Sequence, residues 1–148
     1  MDAKQLVSIS VTRHIDATPE RVYDAWFDPA TTGKWLFATP HGTMVRCEID
    51  AQEGGKFVFV DRRDGVDCEH VGEYLELSRP DHICFRFGVP QFSKDLSRVS
   101  IDIFPEKSGG CKLTLLHDEV LADYQSKTQE GWSNILNGLA KTLEESGN

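Results

Sequence analysis

The sequence lacks most of the features that announce a function directly. No apolar run approaches the ~18 residues of a membrane span, and the stretch from Met1 to Gln5 is polar rather than leader-like. A cytoplasmic protein is therefore expected. The four cysteines, Cys47, Cys68, Cys84 and Cys111, lie far apart with no CxxC pair, so reduced, mostly buried thiols are expected rather than a disulfide framework. Positive charge is scarce: 16 Lys and Arg stand against 24 Asp and Glu, a net charge of −8. With no basic stripe, nucleic acid and anionic membrane are unsuited as partners. None of the histidines (His14, His41, His70, His82, His117) sits at helical i, i+4 spacing or pairs with a cysteine at finger spacing, so no metal is expected. Gly54-Gly55 and Gly109-Gly110 fall between strand patterns, not between a strand and a helix, and there is no GxSxG elbow. A phosphate loop, a hydrolase nucleophile and a cofactor are accordingly not expected.

What is present is a clear change of periodicity along the chain. Leu6 to Ile15 alternates, with Val7, Ile9, Val11 and Ile15 on one side and Ser8, Ser10, Thr12 and His14 on the other, which predicts a half-buried strand. Thr18-Pro19-Glu20 carries a cap, a first-turn proline and an acid at the positive helix end, and Asp28-Pro29 repeats the cap-and-proline signal. Two short helices are predicted there, the first with Val22, Ala25 and Trp26 inward, the second carrying Trp35. Period-two patterns then recur at Thr43–Ala51, Lys56–Asp61, Cys68–Leu77, Ile83–Phe87, Val99–Ile103 and Cys111–His117. They are separated by turn chemistry such as Glu53-Gly54-Gly55, Arg63-Asp64-Gly65 and Ser108-Gly109-Gly110, with a loop at Gly88–Lys94. From about Asp123 the period becomes 3.6, and Trp132, Leu136, Leu139 and Leu143 form one stripe with Ile135 beside it. The 148 residues suit one domain spanning 1–148. The layout predicts an α+β fold with seven mostly antiparallel strands, two short helices after the first strand, and a long C-terminal helix.

Geometry then implies a hollow. Seven strands at ~4.8 Å spacing make a sheet roughly 30 Å across, and one helix is only ~10–12 Å wide. The sheet must curl around the helix, and the segment ending Trp35-Leu36-Phe37 is placed to close the remaining gap. Gly131 and Gly138 lie seven residues apart on one helix face. Each costs roughly 1 kcal/mol against alanine, which points to close approach of a strand or, as the sharper alternative, to room for a ligand.

The stretches RHIDATPERVYDAWFDPATTGKW, GGKF, GEYLEL with RPDHICFRF, LTLLHDEV and GWSNILNGLAKTL occur in this order over nearly the whole chain. Together they resemble the START-like, Bet v 1-like (SRPBCC) helix-grip superfamily, in the branch homologous to the C-terminal domain of the activator of the Hsp90 ATPase. That resemblance implies a curved antiparallel sheet and a long C-terminal helix over a deep cavity.

Three functions follow as expectations. The first is binding of a hydrophobic or aromatic small molecule in the cavity, lined by Trp26, Trp35, Phe37, Phe57, Phe59, Phe85, Phe87, His117, Trp132 and Leu136; a fully packed interior would count against it. The second, also implied by the resemblance, is an enzyme of the cyclase or hydrolase type that uses an inward polar pair; the acid–base candidates are Glu48, His70, Asp102, His117 and Arg13. His117 heads that group, placed near a cavity mouth or else in solvent or bonded to backbone. For Arg13 an acidic neighbour is expected before a ligand carboxylate. The third, implied by the resemblance alone, is an Hsp90-type chaperone-associated module, ranked last because the larger N-terminal domain of such co-chaperones is not in this sequence. Assembly as a homodimer is left open.

Overall fold

The computed structural model describes residues 5–37, 42–90 and 96–145. Strand β1 (Leu6–Ile15) leads into α1 (Pro19–Ala25) and α2 (Pro29–Trp35). Strands β2 (Thr43–Ile49), β3 (Lys56–Arg63), β4 (Val66–Ser78), β5 (His82–Gly88), β6 (Ser97–Pro105) and β7 (Cys111–Leu121) follow. A single 3₁₀ turn at Ala122–Tyr124 then opens α3 (Gln125–Glu145). Most of the predicted Gly88–Lys94 loop lies outside the described residues.

Both short helices start where their caps dictate. The Thr18 hydroxyl accepts the Arg21 amide at 3.3 Å, and the Asp28 carboxylate accepts the Ala30 amide at 3.0 Å. Each is followed by proline at the first helical position, where the missing N–H is not needed.

The strands form one antiparallel sheet in the order β1-β7-β6-β5-β4-β3-β2. Every neighbour from β2 to β7 is a hairpin partner, so β1 and β2, adjacent among strands in sequence, end up at opposite edges. The chain crosses between them through α1 and α2. Helix α3 lies along β1 and against α2, while α2 also touches β2, so the helical layer bridges the two edges. This is the α+β arrangement the periodicity predicts, with the sheet gripping α3.

Ile15, Ile101, Ile103, Leu113 and Leu115 from the sheet meet Leu136 and Leu139 from α3 in a fully buried core. The predicted stripe on α3 is the buried face, with Leu136 and Leu139 both at 0 % exposure. Three of the cysteines are buried, Cys47 is half-buried, and all four are free.

Two expectations need correction. Gly138 does pack closely, but against a helix: a Cβ there would sit 3.1 Å from the Trp35 Cβ of α2. Gly131 meets nothing within 4 Å and faces solvent, so it makes neither a strand contact nor ligand space. Among the described residues Arg13 pairs with no carboxylate: its Nε donates to Asn137 Oδ1 at 3.0 Å and its guanidinium to the His14 carbonyl at 2.8 Å, tying β1 to α3.

Candidate functional site

The alternation of β3, β4 and β5 sends one set of side chains toward the helices: Phe57, Phe59 and Asp61 from β3, Cys68, His70 and Tyr74 from β4, Ile83, Phe85 and Phe87 from β5. In β4 this set includes Gly72, and the Phe57 ring takes its side-chain place: a Cβ on Gly72 would lie 2.2 Å from Phe57 Cζ. The missing side chain lets Phe57 lie flat across the neighbouring strand.

The aromatic set does not surround a deep hollow. What remains between sheet and helices is a cavity of about 10 Å³, bounded by Trp26, Phe27, Leu36, Phe37, Phe57, Phe59, Tyr74, Ile83 and Phe85. That is room for about one water molecule, where small-molecule pockets run to several hundred Å³. Among the described residues, the deep, open cavity expected from the family resemblance is not formed between these elements. Among the residues expected to line it, Trp26, Phe37, Phe57, Phe59 and Phe85 bound the small residual cavity instead. Phe87, Trp132 and His117 sit one layer further along the same ring cluster. Trp35 packs edge-on against Trp26 at 4.9 Å, and Leu136 belongs to the aliphatic core.

Phe37 is what fills the space. Its ring lies almost parallel to His70, at 4.5 Å and 12°, and to Phe87, at 4.9 Å and 6°. Phe59 and Trp132 meet it edge-on at 5.5 Å and 5.8 Å. Offset and edge-to-face pairs of this kind are each worth about 0.5–1.5 kcal/mol beyond area burial. The backbone is less comfortable. Phe37 has φ 59°, a left-handed conformation that costs a non-glycine residue roughly 1–2 kcal/mol. It is held there by Arg63, whose Nη2 donates to the Phe37 carbonyl at 3.3 Å and whose Nε donates to Asp61 Oδ2 at 2.7 Å. The Asp61 carboxylate is 1 % exposed, so this guanidinium is anchored from inside the protein.

Polar atoms around the cluster divide into two kinds. Trp132 Nε1 donates to His117 Nδ1 at 2.8 Å, and His117 Nε2 lies 2.5 Å from Ser97 Oγ, which donates to the Phe87 carbonyl at 3.2 Å. An indole N–H only donates, so Nδ1 is the acceptor and Nε2 carries the proton in a fully satisfied chain. His117 is thus neither at a mouth, nor in solvent, nor bonded to backbone. Burial pushes its pKa down to about 4, with Asp118 opposing weakly, which keeps it neutral near pH 7. In contrast, Trp26 Nε1, Trp35 Nε1 and His70 Nδ1 are buried with no hydrogen-bond partner among the described residues. His70 is likewise pushed down to about 4, by burial first and the Arg63 charge second, against the Phe59 backbone, Asp61 and the Cys68 backbone.

The other acid–base candidates lie elsewhere. Glu48 is exposed and paired with Arg46. Asp102 accepts from His82 on the outer face of the sheet at 2.8 Å, and Glu76 holds the other His82 nitrogen at 3.2 Å. Among the described residues no group of three or more His, Cys, Asp or Glu could hold a metal ion, and no helix is long and apolar enough to cross a membrane. An open groove of about 510 Å³ on the outer face, along Val45, Arg46, Val60, Arg62 and Asp67, is crossed by matched charges: Arg62 pairs with Asp67, and Arg46 with Glu48.

Sequence reasoning missed Phe27, Tyr74 and Ile83 as walls, and did not foresee the link from Arg63 to Phe37. Tyr74 and Ile83 were legible as inward positions of their strands. The Arg63 link joins residues 26 positions apart through a backbone carbonyl, which no sequence pattern marks.

A seven-stranded antiparallel sheet closed around a C-terminal helix, with two short helices crossing between its edge strands and an aromatic cluster beneath them, defines a helix-grip protein. The sequence matches the family described as Activator of Hsp90 ATPase homolog 1-like protein over residues 16–144, and the chain belongs to that family. Solved structures repeat the fold. A protein of unknown function from Staphylococcus aureus superposes with TM-score 0.86 at 19% identity, covering 97% of this chain and 96% of its own. A Chromobacterium violaceum protein gives TM-score 0.78 at 26% identity, over 93% of this chain and 97% of that one. An AHSA1-like protein from Aeromonas hydrophila gives 0.82 at 22%, over 95% and 94%. A search of curated proteins finds no match.

Proposed function

We propose that the domain binds an apolar or aromatic small molecule between β3–β5 and the helices, in the space its own aromatic side chains now fill. The observation that carries this reading is the set of unpartnered polar atoms: Trp26 Nε1, Trp35 Nε1 and His70 Nδ1. Each unpaired buried group costs about 1–3 kcal/mol, and each calls for an explanation in a native core. A ligand carrying acceptor atoms would recover part of that cost, while its apolar body would replace the ring contacts. Membership of a fold commonly associated with hydrophobic ligands agrees with this. The closed interior means that binding requires side chains to move, so affinity is reduced by the work of opening.

The three tryptophans make the test direct, because each gives one indole N–H resonance. Titration with the neutral apolar probe N-phenyl-1-naphthylamine is expected to saturate at one molecule per chain. The Trp26 and Trp35 indole signals should move, while that of Trp132, already bonded to His117, stays near its place. No saturable binding and no movement at millimolar probe would remove the proposal.

A further inference from the structure

The occupant of the aromatic cage is described by Phe37 itself. One residue delivers two groups to two separate receptors: a phenyl ring to the platform of His70 and Phe87 with Phe59 and Trp132 at its edges, and a carbonyl oxygen to Arg63. It does so from a left-handed backbone, 4 % exposed. Between ring and carbonyl carbon stand only its Cβ and Cα. The receptors do not depend on this residue for their own positions. Phe59, His70 and Phe87 are fixed by paired strands, Trp132 by its bond to His117, and Arg63 by the buried Asp61.

We propose that the cage is a receptor for a neutral 3-arylpropanoyl compound, a flat ring two carbons from an amide, ester or ketone carbonyl, and that Phe37 occupies it as an internal stand-in until such a compound displaces it. This rests on the small-molecule reading above and narrows it to one outline. The flat ring is selected by the platform of two near-parallel rings, whose centroids lie 6.0 Å apart and on which a puckered saturated ring would lose face-to-face contact. A neutral carbonyl is selected over a carboxylate because Asp61 already balances the Arg63 charge, so a second carboxylate would face the first. Exchange replaces Phe37 contacts by like contacts and releases Phe37 from its left-handed conformation. With the open form populated at about 10% or less, removing the stand-in raises apparent affinity about tenfold or more.

The probe is 3-phenylpropanamide, titrated by calorimetry and by indole N–H shifts into wild type and Phe37→Gly, since glycine accepts φ 59° without strain. The variant should bind at least about tenfold tighter than wild type and prefer this probe to both propylbenzene and 3-cyclohexylpropanamide. Adding Asp61→Asn with Arg63→Met, which removes both charges together, should abolish the preference for the amide over propylbenzene. Equal affinity in wild type and Phe37→Gly, or a preference indifferent to Arg63, overturns the proposal. If Phe37→Gly does not fold, wild type decides: bound probe must shift the Phe37 Cα resonance away from its left-handed value, and an unchanged resonance with probe bound overturns the idea. If N-phenyl-1-naphthylamine binds wild type while Phe37→Gly gains nothing for 3-phenylpropanamide, only this narrower inference falls. Silence of every probe in both proteins removes both.

Discussion

Where β1, β7 and β6 face α3, the interior is aliphatic. Ile15, Ile101, Leu113, Leu115, Leu136 and Leu139 are all at 0 % exposure, in side chains that hold no polar atoms to satisfy. Where β3, β4 and β5 face α1 and α2, it is aromatic, contains three unpartnered polar atoms, and depends on one residue with a positive φ. Both regions are buried, and both are continuous in one core. The difference lies in what filling each one costs. The aliphatic end is closed by groups whose best place is there. The aromatic end is closed by Phe37 in a conformation that Arg63 must hold. Burial alone therefore does not distinguish the two regions; the unsatisfied atoms and the backbone strain do.

Acid is expected to stress the contrast most. His70 and His117 both have folded pKa values near 4 against an ordinary 6.5, so the unfolded chain binds protons that the folded one refuses. Stability is then whole above pH ~6.5 and falls as pH drops toward ~4, by up to about 1.4 kcal/mol per unit for each histidine. Urea melts at pH 7, 5.5 and 4.5 should show this, with His70→Phe flattening the profile. A variant as acid-sensitive as wild type would mean His70 is not held neutral.

At the aliphatic end, Leu115→Ala should lose about 2–5 kcal/mol in the same assay. Phe37→Ala should cost less than the about 3–5 kcal/mol usual for a buried phenylalanine, because the cage stands without it. Equal or greater cost for Phe37 would erase the distinction between the two regions. Trp132→Phe should cost about 1–3 kcal/mol by leaving His117 Nδ1 unpaired, and should move the His117 ring signals; unmoved signals would deny the bond. The smallest effect separates the two helix glycines. Gly131→Ala should stabilise by roughly 0.5–1 kcal/mol, since nothing lies within 4 Å, whereas Gly138→Ala should gain less because Trp35 stands 3.1 Å away. The reverse order would place the close contact at the wrong glycine.

Much of this molecule is readable without coordinates. Thr18-Pro19 and Asp28-Pro29 start the helices they announce, and the alternation of β1 and the Trp132–Leu143 stripe bury the faces they imply. These are local signals, set by hydrogen bonding and periodicity within a few residues. The candidate site was legible only in part. Phe57, Phe59, Phe85 and Phe37 were recognisable as inward aromatics, but whether they line a hollow or fill it depends on rotamers and packing, which have no period. His117 illustrates the limit: its strand position was clear, while its neutral, doubly bonded state comes from Ser97 on β6 and Trp132 on α3.

The sequence by itself determined the order and type of the elements, the antiparallel sheet and the long amphipathic helix, because each rests on short-range propensity and spacing. Only the tertiary structure decided that the grip is closed, that Phe37 lies on His70 and Phe87, and that Arg63 ties its carbonyl to Asp61. Those contacts join residues far apart in the chain, and their energies depend on distances and angles that exist only once the sheet has folded around the helix.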